Sequence, residues 1–131
     1  MRFLDHSSQL QAQLQARREA ALRRCGTAAE GYAKAICPVD TGRLRASIRS
    51  QVDGIQGRMV LGTNVEYAAD VELGTGRYRP GWSGPRKWRW QSRDGRWHTT
   101  TGQRPQPYLR PAMSDHAGAY SALIRISLGG E

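Results

Sequence analysis

Apolar or small residues recur at Leu10, Leu14, Ala21, Cys25, Ala28, Tyr32 and Ile36, at intervals of three, four or seven. That is the period of one helix face. Gln11, Gln15, Arg18 and Arg23 fall mostly off the stripe, so the predicted helix packs on one side and is wet on the other. Ser7 or Ser8 can cap its start. Pro38 ends it, because proline lacks an amide proton and pushes its predecessor out of helical space. The following Pro38-Val39-Asp40-Thr41-Gly42 reads as a turn in which Asp40 and Thr41 cap amides and Gly42 takes a positive φ. Gly42 to Ser47 adds a helical turn.

The period then changes to two. Ile48, Ser50 and Val52 alternate with Arg49, Gln51 and Asp53, the pattern of a strand with one drier face. Gly54 to Gly57 turns the chain, and Arg58 to Gly62 returns as a second strand. Val65 to Gly76 reads as a short amphipathic turn. Tyr67 and Val71 lie four apart, and the glycines Gly74 and Gly76 stop it.

Arg77 to Lys87 is rich in glycine and proline and is expected as an irregular exposed loop. A second hairpin follows, with Asp94-Gly95 as a two-residue turn. In that register Ser92 pairs with Trp97, so Trp88, Trp90 and Trp97 share one face, and Arg89, Gln91, Arg93, Arg96 and His98 share the other. Pro107 to Pro111 opens a last helix with a stripe at Leu109, Met113, Tyr120, Ile124 and Leu128, ended by Gly129-Gly130. The expected fold class is α+β. A long N-terminal helix and a C-terminal helix pack on a small antiparallel sheet, and an Arg/Trp-rich hairpin arm extends from about residues 76 to 106.

The 131 residues suit one domain. The formal charge is +9, and nearly all of it is local: Arg77 to Arg110 holds nine bases against the single acid Asp94. All four tryptophans, Trp82, Trp88, Trp90 and Trp97, share that window. The mean hydropathy of -0.67 leaves limited apolar surface, so part of the chain is expected to order only against a partner. Cys25 and Cys37 sit in no metal-ligand spacing and read as buried thiols. Neither a signal-like N-terminus nor a run of 18 apolar residues is present, so the protein is expected in the cytosol when made, with no membrane partner.

Catalytic chemistry finds little footing. Gly74-Thr75-Gly76 lacks the GK[ST] of a phosphate loop and is better read as a helix stop. His6, His98 and His116 lie on three different elements, and no serine sits in a GxSxG elbow. Of Glu66, Asp70 and Glu72, only Glu66 and Asp70 share a helix side. One of these acids is expected to pair with an arginine at a packed joint, with Arg43, Arg45 or Arg110 as partner. We assign that anchoring role to Glu72. The expectation is no enzyme activity, no cofactor and no metal.

In order along residues 8 to 128 stand Pro38-Val39-Asp40-Thr41-Gly42-Arg43-Leu44-Arg45-Ala46-Ser47-Ile48, Leu61-Gly62-Thr63, Tyr67-Ala68, Glu72-Leu73-Gly74-Thr75 and Pro107-Tyr108-Leu109-Arg110-Pro111-Ala112. Together they resemble the small head-tail joining proteins of long-tailed bacteriophages, known as neck or tail-completion proteins. The resemblance implies a structural virion protein that forms a closed ring at the head-tail interface, made in the host cytoplasm. Its implied partners are copies of itself, the head-completion protein and the tail-tube or tail-terminator protein. Contact with DNA in the channel is a further expectation. Arg77 to Gln106 departs from the family pattern in length and tryptophan content.

Two groups of residues stand out as sites. Asp40, Thr41, Gly42, Tyr67, Glu72, Gly74, Thr75, Pro107, Leu109 and Arg110 form a candidate structural joint. Trp82, Trp88, Arg89, Trp90, Arg93, Arg96 and Trp97 form a candidate partner or subunit interface, since tryptophan and arginine are enriched in protein interfaces. The rival reading is a small nucleic-acid-binding module using the same ribbon.

Overall fold

The computed structural model describes residues 7–39 and 42–129. Helix α1 runs Ser7–Ile36 and stops two residues before Pro38. A short helix α2, Arg43–Ser47, follows Gly42, whose φ of 80° is the left-handed conformation expected of that glycine. Strands β1, Arg49–Asp53, and β2, Arg58–Gly62, pair antiparallel with Ser50 opposite Leu61 and Val52 opposite Met59. Helix α3, Ala68–Leu73, ends on Gly74 and leads into a single 3-10 turn at Gly76–Tyr78. Strands β3, Trp88–Gln91, and β4, Trp97–Thr100, form a second, separate hairpin. The expected last helix is two helices, α4, Leu109–Ser114, and α5, Ala117–Gly129. The fold is α+β. His6, Asp40, Thr41 and Gly130 lie outside the described residues, so the capping roles expected of Asp40 and Thr41 do too.

Helix α1 is the element against which β1, β2, α4 and α5 all pack. Its buried face is Ala21, Cys25, Gly26, Ala29 and Ala33; of the expected stripe Ala21 and Cys25 lie in it, Ala28 and Tyr32 pack partly buried beside it, and the rest is corrected. Leu10, Leu14 and Ile36 are exposed, at 56%, 59% and 50%. The reason is closeness. Small side chains let the helix lie directly on the hairpin, and a Cβ at Gly26 would stand 2.5 Å from Ser50 Oγ. Ser7 and Ser8 fall inside the helix, whose first three turns project beyond the packed part.

Two clusters make the core. One gathers Ala33, Cys37, Leu44, Ile48, Val65, Ala68, Tyr108 and Ala112, with Tyr67, Val71 and Leu109 packed on it. The other sets Cys25, Ala29 and Tyr120 against Met59, Leu123 and Ile124. The Tyr120 hydroxyl donates to the Ala112 carbonyl and so ties α5 to α4. Of the expected C-terminal stripe, Tyr120 is buried, whereas Met113 and Leu128 are exposed, and the helical run is interrupted at residues 115–116. Cys25 and Cys37 are buried free thiols whose pKa values burial raises.

Tyr108 is fully buried, and its hydroxyl has no hydrogen-bond partner among the described residues. Burial, followed by the neighbouring Cys37, Glu72 and Tyr67, pushes its pKa up to about 12 from 10.0. A buried hydroxyl without a partner costs about 1–3 kcal/mol. Tyr108→Phe is therefore expected to raise stability by about 1 kcal/mol at neutral pH, read from urea unfolding. The folded pKa is raised, so the tyrosine's contribution is intact below pH 10 and is lost as pH climbs toward 12. The advantage of the phenylalanine variant should therefore widen over that window. A variant less stable than its parent at neutral pH would show that the hydroxyl has a partner after all.

Candidate functional site

The two ends of the 76–106 segment meet at α3, and one carboxylate does most of the holding. Glu72 Oε2 accepts from the amides of Tyr108 and Leu109, at 2.7 and 3.0 Å, and Oε1 accepts from that of Arg110 at 2.9 Å. A helix leaves its first four amides without intrahelical acceptors. For α4 these belong to Tyr108, Leu109, Arg110 and Pro111; Glu72 takes three, and the proline has none to offer. This corrects the expectation that Glu72 anchors an arginine side chain. The backbone of Arg110 is held, while its side chain is exposed.

Arginine pairing falls to the other two acids. Glu66 meets Arg43 at 3.3 Å, with both side chains more than half exposed, so the pair adds little stability. Asp70 meets Arg79 at 2.8 Å and links α3 to the loop beyond the 3-10 turn.

From Glu72 outward the two strands of chain are laced together. Gln106 N donates to Val71 O at 2.8 Å, Thr75 N to Gln103 O at 2.9 Å, Gln103 N to Thr75 Oγ1 at 2.8 Å and Arg77 N to Thr101 O at 3.2 Å. Such close backbone contact needs residues without side chains. Gly102, at φ 109°, faces Thr75 O, and a Cβ there would lie 2.1 Å from it.

Of the expected joint residues, Glu72, Gly74 and Thr75 come together with the 103–110 segment. Tyr67 precedes α3 and packs on the first core cluster, with the Arg43 guanidinium 5.8 Å from its ring centroid. Leu109 packs on the same cluster; Pro107 is exposed just before it. Val71, Gly102, Gln103 and Tyr108 belong to the same junction and were not among the expected joint residues. Val71 and Gln103 act through backbone groups that no side-chain pattern reveals.

The arm itself differs from expectation in one respect with wide consequences. Its turn has three residues, Arg93, Asp94 and Gly95, closed by Ser92 N donating to Arg96 O at 2.9 Å, with Gly95 at φ 85°. The Asp94 carboxylate accepts from the Ser92 hydroxyl and the Arg96 amide, and these bonds hold its pKa below the usual value. The register is consequently Gln91 opposite Trp97, Trp90 opposite His98, Arg89 opposite Thr99 and Trp88 opposite Thr100.

A one-residue slip moves a strand's side chains to the other face. Trp97 thus shares a face with Arg89, whose guanidinium lies 5.0 Å from its ring centroid, and Trp90 stacks on His98 at 4.5 Å. The expected division into one aromatic and one cationic face does not hold. Trp88 and Trp82 pack together at 5.8 Å at the base of the arm, with Trp88 also against Gly76. Trp90 and Trp97 stand about half exposed farther out.

No group of three or more histidine, cysteine or acidic side chains is placed to hold a metal among the described residues, and no described helix is long and apolar enough to cross a membrane. What the junction and arm can do chemically is present cations and aromatic rings on a tethered ribbon. A family model described as Bacteriophage HK97-gp10, putative tail-component, matches residues 2–74, more than half of the chain. No curated protein and no solved structure matches. The matched stretch includes the motifs from Pro38 through Gly74; the Pro107–Ala112 motif lies beyond it.

Proposed function

The chain belongs to the HK97-gp10-like family of bacteriophage tail components, and from that membership we propose that it is a structural virion protein closing into a ring at the head-tail interface. In this reading it joins the capsid connector to the tail tube and carries out no catalytic step. Copies of itself pack side by side, and the adjoining head-completion and tail-tube or tail-terminator proteins meet the ring's two ends. The family match is the observation that carries the reading.

Two surfaces support it. Residues 7 to 16 of α1 carry no charged side chain in a chain that is 24% charged, and they expose Leu10 and Leu14. Interface cores are depleted of charge in the same way. About 40 Å away along α1, beyond its other end, a groove of about 540 Å3 is lined by Val39, Leu44, Tyr67 and Val71 among others. Distinct surfaces at two ends, the first uncharged and the second a groove that also carries Arg43 and Arg104, suit a head-to-tail contact, which closes into a ring when the rotation between subunits allows.

The expected result in light scattering and negative-stain imaging of the purified protein is a closed oligomer. Leu10→Asp with Leu14→Asp should dissociate it into folded monomers, because both side chains are already exposed. A parent protein that stays monomeric at all accessible concentrations, alone and with tail-tube protein, would refute the reading.

A further inference from the structure

We propose that the β3–β4 arm binds duplex DNA, entering the major groove tip first with its arginines against phosphates of the groove walls. The inference does not depend on the ring, since a monomer presents the same arm. It begins from charge. Residues 77–106 carry eight bases against Asp94 alone, and Asp94 is engaged within the turn by Ser92 and Arg96. The cations lie at the base, Arg86 and Lys87, on the ribbon, Arg89, and at the tip, Arg93 and Arg96.

Size agrees. Paired strands run about 4.8 Å apart, and four residues of strand reach about 13 Å. A major groove about 12 Å wide and 8.5 Å deep admits a two-stranded ribbon. Gly95, at φ 85°, completes the three-residue turn, and Arg93 and Arg96 stand on either side of Asp94-Gly95.

The register then places a ring on each face of the ribbon. Here the two half-exposed outer tryptophans point to opposite faces, Trp90 beside His98 and Trp97 beside Arg89. Trp88 and Trp90 share the first face with His98, and Trp82 packs on Trp88 at its base, while Trp97 and Arg89 share the second. A hairpin with a phosphate wall on each side uses both faces at once.

The test is fluorescence anisotropy with a labelled mixed-sequence duplex and the matching single strand, titrated at several salt concentrations from about 50 to 200 mM. The duplex should bind with an affinity that falls steeply with salt. Arg89→Glu, Arg93→Glu and Arg96→Glu together should lower that affinity at least about tenfold and flatten the logarithmic salt slope by about 3. The Gln-for-Arg triple variant, which avoids new charge repulsion, should do the same more weakly, and Arg125→Glu on α5 should change neither quantity. The melting temperature of each variant shows that the fold is kept. Four results would each overturn the inference: no salt-dependent duplex binding, an unchanged slope in both triple variants, single strand bound as tightly as duplex, or a polyglutamate chain outcompeting duplex.

Discussion

Replacing Glu72 with alanine is expected to destabilise the protein by about 3 kcal/mol, a fall in Tm on the order of 10 °C. Three amides at the start of α4 lose an ionised acceptor together, at 2.7, 3.0 and 2.9 Å. Hydrogen bonds to charged groups contribute about 1.5–3 kcal/mol each, and water reaching the exposed Arg110 amide recovers part of the loss. The Tyr108 amide recovers least, because its residue is fully buried.

Glu72→Gln should fall between parent and alanine, since its amide oxygen can still accept while its NH2 faces donors. Arg110→Ala is the discriminating control. As an exposed side chain outside this hydrogen bonding, it should change stability by less than about 0.5 kcal/mol. Thermal and urea unfolding of the three variants decide the matter. If Glu72→Ala melts within measurement error of its parent, or Arg110→Ala costs as much, the amide-holding role is wrong.

The second large effect is expected at Gly102. Alanine there meets both a φ of 109° and a backbone oxygen 2.1 Å from its Cβ. Left-handed or more strained conformations cost a non-glycine residue about 1–3 kcal/mol before any clash is counted. The lacing between residues 75–77 and 101–103 should open, while the core clusters, which contain none of these residues, persist. A local opening favoured by about 3 kcal/mol raises the cleavable population on the order of a hundredfold. Limited proteolysis should therefore cut within residues 77–106 much faster in Gly102→Ala, with the global Tm little changed. Equal cleavage rates in variant and parent would show that the chain accommodates the side chain by shifting.

The sequence carried the element order well because its punctuation is strong. Pro38, Gly42, the Gly54–Gly57 turn and Gly74 each mark a boundary that the structure keeps. It misled where side-chain size and backbone partners decide. Leucines dominate a hydrophobic pattern, yet the packed face of α1 is alanine, cysteine and glycine, chosen by how closely a helix can approach a hairpin. Asp94-Gly95 fits a two-residue turn as readily as the end of a three-residue one. The choice rests on Ser92 bonding Asp94, Arg96 and His98, contacts that exist only once the strands have met.

Glu72 could be picked out, but not its partners, since amides carry no letter of their own. Pro111, which removes the fourth amide, was the one hint that the acceptor's work was confined to the other three.

Because the chain leaves the body at Gly74–Arg77 and returns at Thr101–Arg110, with both passages laced to each other and to Glu72, the body meets the arm through a socket that is indifferent to what lies between. Extending such a loop costs only about 0.6 kcal/mol per doubling of its length. The segment from residue 80 to 100, beyond the Asp70–Arg79 pair, can therefore be exchanged, shortened or replaced as a unit without disturbing the helices. The stretch that matches the tail-component family ends at Gly74, on the body side of that socket, so the exchangeable segment lies wholly outside it.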